Sequence, residues 1–97
     1  MDHSIKNDVL TIFLKGRVNS SNSDETEQGI DALLNGNSFK SIVFDLGELE
    51  YISSAGLRIL LRIKQQYEDT KLINVTDTIY EILDMVGFTG FLTIERK

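Results

Sequence analysis

The sequence contains no cysteine, which excludes disulfides, thiolate nucleophiles and sulfur-ligated metals and leaves the apolar core to hold the fold alone. It contains one histidine, His3, placed at a terminus where frayed, solvated side chains are the rule. Acid–base and zinc chemistry therefore have almost nothing to work with, and neither a cofactor nor a metal is expected. No stretch approaches the ~20 consecutive apolar residues of a membrane span, and the first residues lack the basic-then-apolar pattern of a secretory signal. A cytoplasmic protein with no direct membrane insertion is the expectation. Cations are few: ten Lys and Arg stand singly against fifteen Asp and Glu, for a net charge of -5. Nucleic acids and anionic lipid surfaces are gripped by clustered cations, so neither is an expected partner. Proline is absent as well, so glycine and polar capping residues do the punctuating.

What is present suits one domain over residues 1–97: 97 residues with 41% apolar content can bury one core and not two. Asn7-Asp8 between Ile5-Lys6 and Val9-Leu10 predicts a hairpin. Its second strand runs through Leu14, with Leu10, Ile12 and Leu14 on one side and Val9 and Phe13 on the other. From Asn22 to Leu34 the period becomes helical, acidic residues crowd the first turn, and Asn35-Gly36 predicts a left-handed stop. Ser41 to Leu46 reads as a buried central strand. Ala55 to about Tyr67 carries so wide an apolar stripe (Leu57, Ile59, Leu60, Leu61, Ile63, Tyr67) that it should be the most buried helix. A strand at Leu72 to Val75 precedes a helix with a Thr78–Glu81 capping box, an Ile79, Ile82, Leu83, Val86 stripe and a Gly87 stop. Phe91 to Glu95 is a last strand. The order is ββαβαβα(β): an α/β fold, with a mixed sheet and helices packed against it.

Between the central strand and the buried helix lies the segment with the most chemistry, Asp45-Leu46-Gly47-Glu48-Leu49-Glu50-Tyr51-Ile52-Ser53-Ser54-Ala55-Gly56-Leu57-Arg58. Two serines open an apolar helix. A helix start has about four unpaired N–H groups and roughly half a positive charge. A serine oxygen there can serve as a plain cap, and a phosphate carried on it would be favoured by the same dipole.

This window resembles the signature of the STAS family (sulfate transporter and anti-sigma factor antagonist), in which a strand ending Asp-Leu leads through a short loop to Ser-Ser/Ala-Gly-Leu at a helix start. Gly16-Arg17-Val18-Asn19 is similar to the family's Gly-x-Leu-Asp turn after the second strand. Leu72-Ile73-Asn74-Val75 and Met85-Val86-Gly87-Phe88 resemble its later elements, so the likeness covers nearly the whole chain in order. Within the anti-sigma factor antagonist branch it implies phosphorylation of the second serine, Ser54 (with Ser53 as the alternative), by an anti-sigma factor serine kinase. Only the unphosphorylated form would hold that kinase, and a PP2C-type phosphatase would reset the switch. Arg17, Asn19, Glu48, Glu50, Ser53, Ser54, Gly56 and Arg58 are the expected partner-binding residues. Positions that carry aspartate in that branch are Ser53 and Asn19 here, and the stretch from the serine helix to Leu72 is about one helical turn shorter. The resemblance equally admits a constitutive STAS adaptor subunit of a transporter or signalling assembly. Either role fits a monomer or weak dimer.

Enzymatic readings fare worse. Asp45, an acid at a strand end, would suit a phosphoacceptor, but no acidic pair stands after an early strand to hold Mg²⁺. Asp45 is expected to bond nearby loop N–H groups instead. Ser54 lacks both the leading glycine of a nucleophile elbow and an available base. No Gly-rich loop ending in Gly-Lys-Ser/Thr is present to cradle a nucleotide.

Overall fold

In the computed structural model, which describes residues 1–97, β1 (His3–Lys6) and β2 (Val9–Val18) form the antiparallel hairpin. Asn7 and Asp8 both take positive φ, 52° and 65°, the left-handed pair that a two-residue mirror-image turn requires. His3 pairs with Ile12, so it belongs to a strand and is not frayed. There follow α1 (Ser23–Gly36), β3 (Ser41–Ile52), α2 (Ser54–Gln66), β4 (Thr70–Val75), α3 (Asp77–Met85), a 3-10 turn over Phe88–Gly90, and β5 (Thr93–Arg96). The sheet order is β1-β2-β3-β4-β5. All pairings after the hairpin are parallel, as expected where each return is made by a helix.

The core follows from strand alternation. Leu10, Ile12 and Leu14 of β2, Ile42, Phe44 and Leu46 of β3 and Leu72 of β4 join one cluster with Ile30 and Leu34 of α1, Leu57, Leu60 and Ile63 of α2, and Ile79 and Leu83 of α3. Val43 is buried but stands outside that cluster, where it shares a shallow cleft with Val9, Thr11, Lys71 and Ile73. All three helices thus meet one face of the sheet. As its stripe predicts, α2 is the most deeply set, burying Gly56, Leu57, Ile59, Leu60 and Ile63. Arg62 ties it to α1, donating from Nε to Glu27 at 2.8 Å and from Nη2 to Asp31 at 2.7 Å. The bond to Asp31, partly opposed by burial and reinforced by Glu27, raises the guanidinium's pKa.

Several boundaries differ from the sequence expectation, each for a local reason. β2 and β3 run on to Val18 and Ile52, where Lys15 to Val18 pair with Glu48 to Ile52 across two register shifts. At both shifts the extra residue lies on β3, whose buried Leu46, Leu49 and Ile52 fall at every third position and break the period-2 pattern that would have announced the strand, while the facing Gly16 of β2 takes φ 70°. The Gly16–Asn19 stretch is therefore strand as far as Val18, and leaves the sheet only at Asn19. α1 continues through Gly36, which is not left-handed; Asn37 is extended and its Nδ2 donates to the Leu33 carbonyl at 2.9 Å. α3 starts at Asp77, capped by Thr76 and not by a Thr78–Glu81 box. Gly87, at φ 81°, ends that helical stretch as expected. Phe91 stays out of β5 and packs on Phe88 with ring centroids 5.2 Å apart.

Because Leu60 is 1% exposed at the centre of the cluster, Leu60→Ala is expected to lower unfolding free energy by about 2–5 kcal/mol. Urea unfolding followed by circular dichroism checks this.

Candidate functional site

The junction of β3 and α2 is built by Ser53. Its N–H donates to the Val18 carbonyl at 2.8 Å, and its own carbonyl accepts from Leu57 at 2.9 Å. With φ -87° and ψ 174° it is an extended N-cap, and its Oγ accepts from the Gly56 N–H at 3.3 Å. Ser53 is thus consumed by the helix start. Ser54, the first residue of α2, is exposed and its hydroxyl has no hydrogen-bond partner in the chain. Of the two serines, one is fastened and one is free.

Gly56, expected on the partner face, is buried instead. A Cβ there would lie 2.6 Å from Ile52 Cγ1 and 2.8 Å from Val18 Cγ1. The glycine lets the first turn of α2 lie directly on the ends of β2 and β3, so it positions the serines and presents nothing to a partner.

The remaining expected residues sort by what already occupies them. Arg17 is exposed and its guanidinium lies over the Tyr51 ring, 4.7 Å from the centroid. Asn19 is half-buried and its Oδ1 faces inward, accepting from Ser21 N at 3.0 Å, Ser21 Oγ at 2.6 Å and Asn22 N at 3.2 Å. Asn22 completes this loop, accepting from the Asn19 N–H and donating to the Arg17 carbonyl. The Asn19 oxygen shapes the loop that carries Arg17. Glu48 and Glu50 are exposed on β3, with Glu48 3.7 Å from Lys15 Nζ. That lysine is kept protonated above its usual range chiefly by Asp2, with Glu48 adding to it. Arg58 is exposed and lines a groove with Ser23, Asp24 and Glu27 of α1.

Sequence reasoning missed the other half of this surface. Tyr51, Ile52, Ser54 and Leu57 form one wall of a cleft of about 230 Å³, and Ile82, Met85 and Val86 of the α3 end form the other. Met85 is 86% exposed and Val86 51%. Val86, assigned to the core stripe, points to solvent. Only Met85 carried a signal, standing at the edge of the helical arc of Ile79, Ile82 and Leu83; Val86 falls at the centre of that arc and is exposed because it is the C-cap, past the last helical residue.

Asp45 is spent locally, accepting from the Gly47 N–H and from Asn74 Nδ2, both at 2.9 Å. No group of three or more His, Asp or Glu residues is placed to hold a metal ion, and no helix is long and apolar enough to cross a membrane. No side chain is hydrogen-bonded to the Ser54 hydroxyl, so the chain places no base on it in the way a serine nucleophile needs.

Comparison with known proteins gives this geometry a family. The model described as the STAS domain matches residues 1–97. The chain belongs to the STAS domain family. Among curated STAS relatives, BtrV of Bordetella bronchiseptica, which bears the name of an anti-sigma factor antagonist, is 31% identical over 93 residues, covering 92% of this chain and 79% of BtrV. Among solved structures, one from Thermotoga maritima described as an anti-sigma factor antagonist superposes with TM-score 0.87 at 18% identity, over 99% of this chain and 86% of that one. SpoIIAA in its unphosphorylated form gives 0.77 at 15%, over 99% and 88%. A sulfate transporter family protein from Wolinella succinogenes gives 0.75 at 16%, over 96% and 81%, so structural likeness alone shows the STAS fold and not the role.

Gly56→Ala should cost about 1–3 kcal/mol, the usual range for forcing a methyl into a filled site. Ser54→Ala, on the solvent side of the same turn, should stay within about 0.5 kcal/mol of the unchanged protein. Chemical denaturation of the pair reads both.

Proposed function

We propose that this STAS domain is an anti-sigma factor antagonist that works by partner switching. Unphosphorylated, it binds an anti-sigma factor serine kinase and so keeps that kinase from its sigma factor. The kinase then transfers the γ-phosphoryl of ATP to Ser54: Oγ loses its proton, the Oγ–P bond forms, and the bond from Pγ to ADP breaks. The phosphorylated domain leaves, and a PP2C-type phosphatase returns it to the binding form. The observation that carries this reading is the free, exposed hydroxyl of Ser54 beside a fully engaged Ser53. The family membership and the kinship with BtrV support it.

Magnitudes say where such a switch acts. A phosphate adds about -1.5 to -2 charges at one point. Within the domain, the helix dipole offers it only about 0.3–1 kcal/mol, so the fold neither collapses nor tightens. Moving a complex from 99:1 bound to 1:99 takes about 5.5 kcal/mol. Only an interface supplies that much, through desolvation of an unpaired phosphate or a like-charge contact. The docking surface proposed is Ser54 with Arg17, Tyr51, Glu48, Glu50, Arg58, Met85 and Val86. Its apolar cleft gives grip, and its serine sits at the rim where a charge is felt.

The test uses the purified kinase with ATP, presented with the unchanged chain, Ser54→Ala and Ser53→Ala. Phosphate should enter the unchanged chain and Ser53→Ala, and not Ser54→Ala; Ser54→Glu should weaken kinase binding about 100-fold or more, a loss of about 2.8 kcal/mol. Equal incorporation into Ser54→Ala would end the assignment. A kinase that neither binds nor modifies the chain would leave the constitutive adaptor as the role.

A further inference from the structure

The four arginines of the chain are in different states. Arg62 is held by Glu27 and Asp31, Arg96 by Asp77 and the Tyr80 ring, and Arg17 by the Tyr51 ring. Arg58, exposed on α2, makes neither an ion pair nor an aromatic contact, although the groove beside it carries Asp24 and Glu27. It stands four residues after Ser54 on the same helix. Helical side chains lean toward the helix N-terminus, so a residue at i+4 reaches back over residue i. An anion at i with a cation at i+4 is also the favoured orientation of such a pair.

We infer that Arg58 captures the phosphate of a phosphorylated Ser54 within the same helix, and is withdrawn from the docking face as the switch is thrown. This rests on the phosphorylation reading for its biological use. Before modification, Arg58 is free to pair with a carboxylate of the partner. After modification, its planar fork meets phosphate oxygens, which accept two parallel N–H bonds. The partner then faces a new anion and has lost a cation it used, so one covalent change alters two contacts. The charged groups around the pair favour this outcome. From α1, Asp24 and Glu27 line the same groove as Arg58; Glu27 is already paired with Arg62, which leaves Asp24 to compete with one charge against the phosphate's nearly two. From α3, only the uncharged Ile82, Met85 and Val86 share the cleft with Ser54. From the sheet come Arg17, engaged on Tyr51, and the exposed acids Glu48 and Glu50, which have no cation to offer. The helix end itself is common to every variant below and cannot produce a difference among them.

The experiment installs phosphoserine at position 54 during synthesis of the full chain and follows its second ionisation by ³¹P NMR. In the unchanged chain that ionisation should fall about 0.3 pH unit below its position in Arg58→Gln, the size of a favourable helical ion pair. Arg58→Lys should recover part of the difference, and Arg17→Gln should leave it intact. Coincident titrations in the unchanged chain and Arg58→Gln would overturn the inference, as would a difference that appears only in Arg17→Gln. Since no kinase is used, failure of a kinase to modify Ser54 would defeat the switch reading while leaving this result in place.

Discussion

The contact on which the rest depends is the absence of a side chain at Gly56, which lets the first turn of α2 rest on Ile52 and Val18. That approach brings the Ser53 N–H to the Val18 carbonyl and aims the Ser53 hydroxyl at the Gly56 N–H. With the cap fixed, the next residue has one direction left, outward. The other end of the constraint is the burial of Leu57, Ile59, Leu60 and Ile63 in the core. The exposed serine is therefore mounted on the most firmly held helix of the domain, and a modification there meets a surface that does not give way.

Rigidity is what makes a surface switch economical in physical terms. A soft segment would absorb a new charge by moving, and the free energy would go into local rearrangement. A packed helix cannot, so the charge is expressed in whatever approaches it. In the proposed switch, the neighbouring apolar cleft, with Met85 and Val86 turned to solvent, is the complementary half of the interface. Dry contact area and a charge-sensitive rim lie side by side, and Arg58 stands beside them without an ion pair of its own.

Much of this architecture was legible from residues alone. The Asn7-Asp8 hairpin, the wide stripe of α2, the stop at Gly87 and the mixed sheet all follow from local chemistry that tertiary packing then reinforced. The extension of β2 and β3 was hidden because the extra residues on β3 break its alternation between Leu46 and Ile52 where pairing continues. The ends of α1 and α3 shifted because Asn37 and Thr76 cap more effectively in place than the neighbouring Gly36 and Thr78, a choice between adjacent polar residues that sequence does not rank. At the site, the serines were visible as a pair, but which one is fastened depends on the Val18 carbonyl, a long-range contact. Gly56 carried no sign that its role is close packing and not display. Asn19 read as a surface contact until its oxygen was found turned into its own loop.

The central claim is that a phosphate at residue 54 changes the surface and leaves the helix beneath it untouched. Amide hydrogen exchange on the full chain, with serine and with phosphoserine at that position, tests it most directly. Protection at Leu57, Ile59, Leu60 and Ile63 should be the same in both forms, with differences confined to the rim around Tyr51, Ser54 and the end of α3. Loss of protection running along α2 would contradict the account, because the modification would then act by loosening the domain.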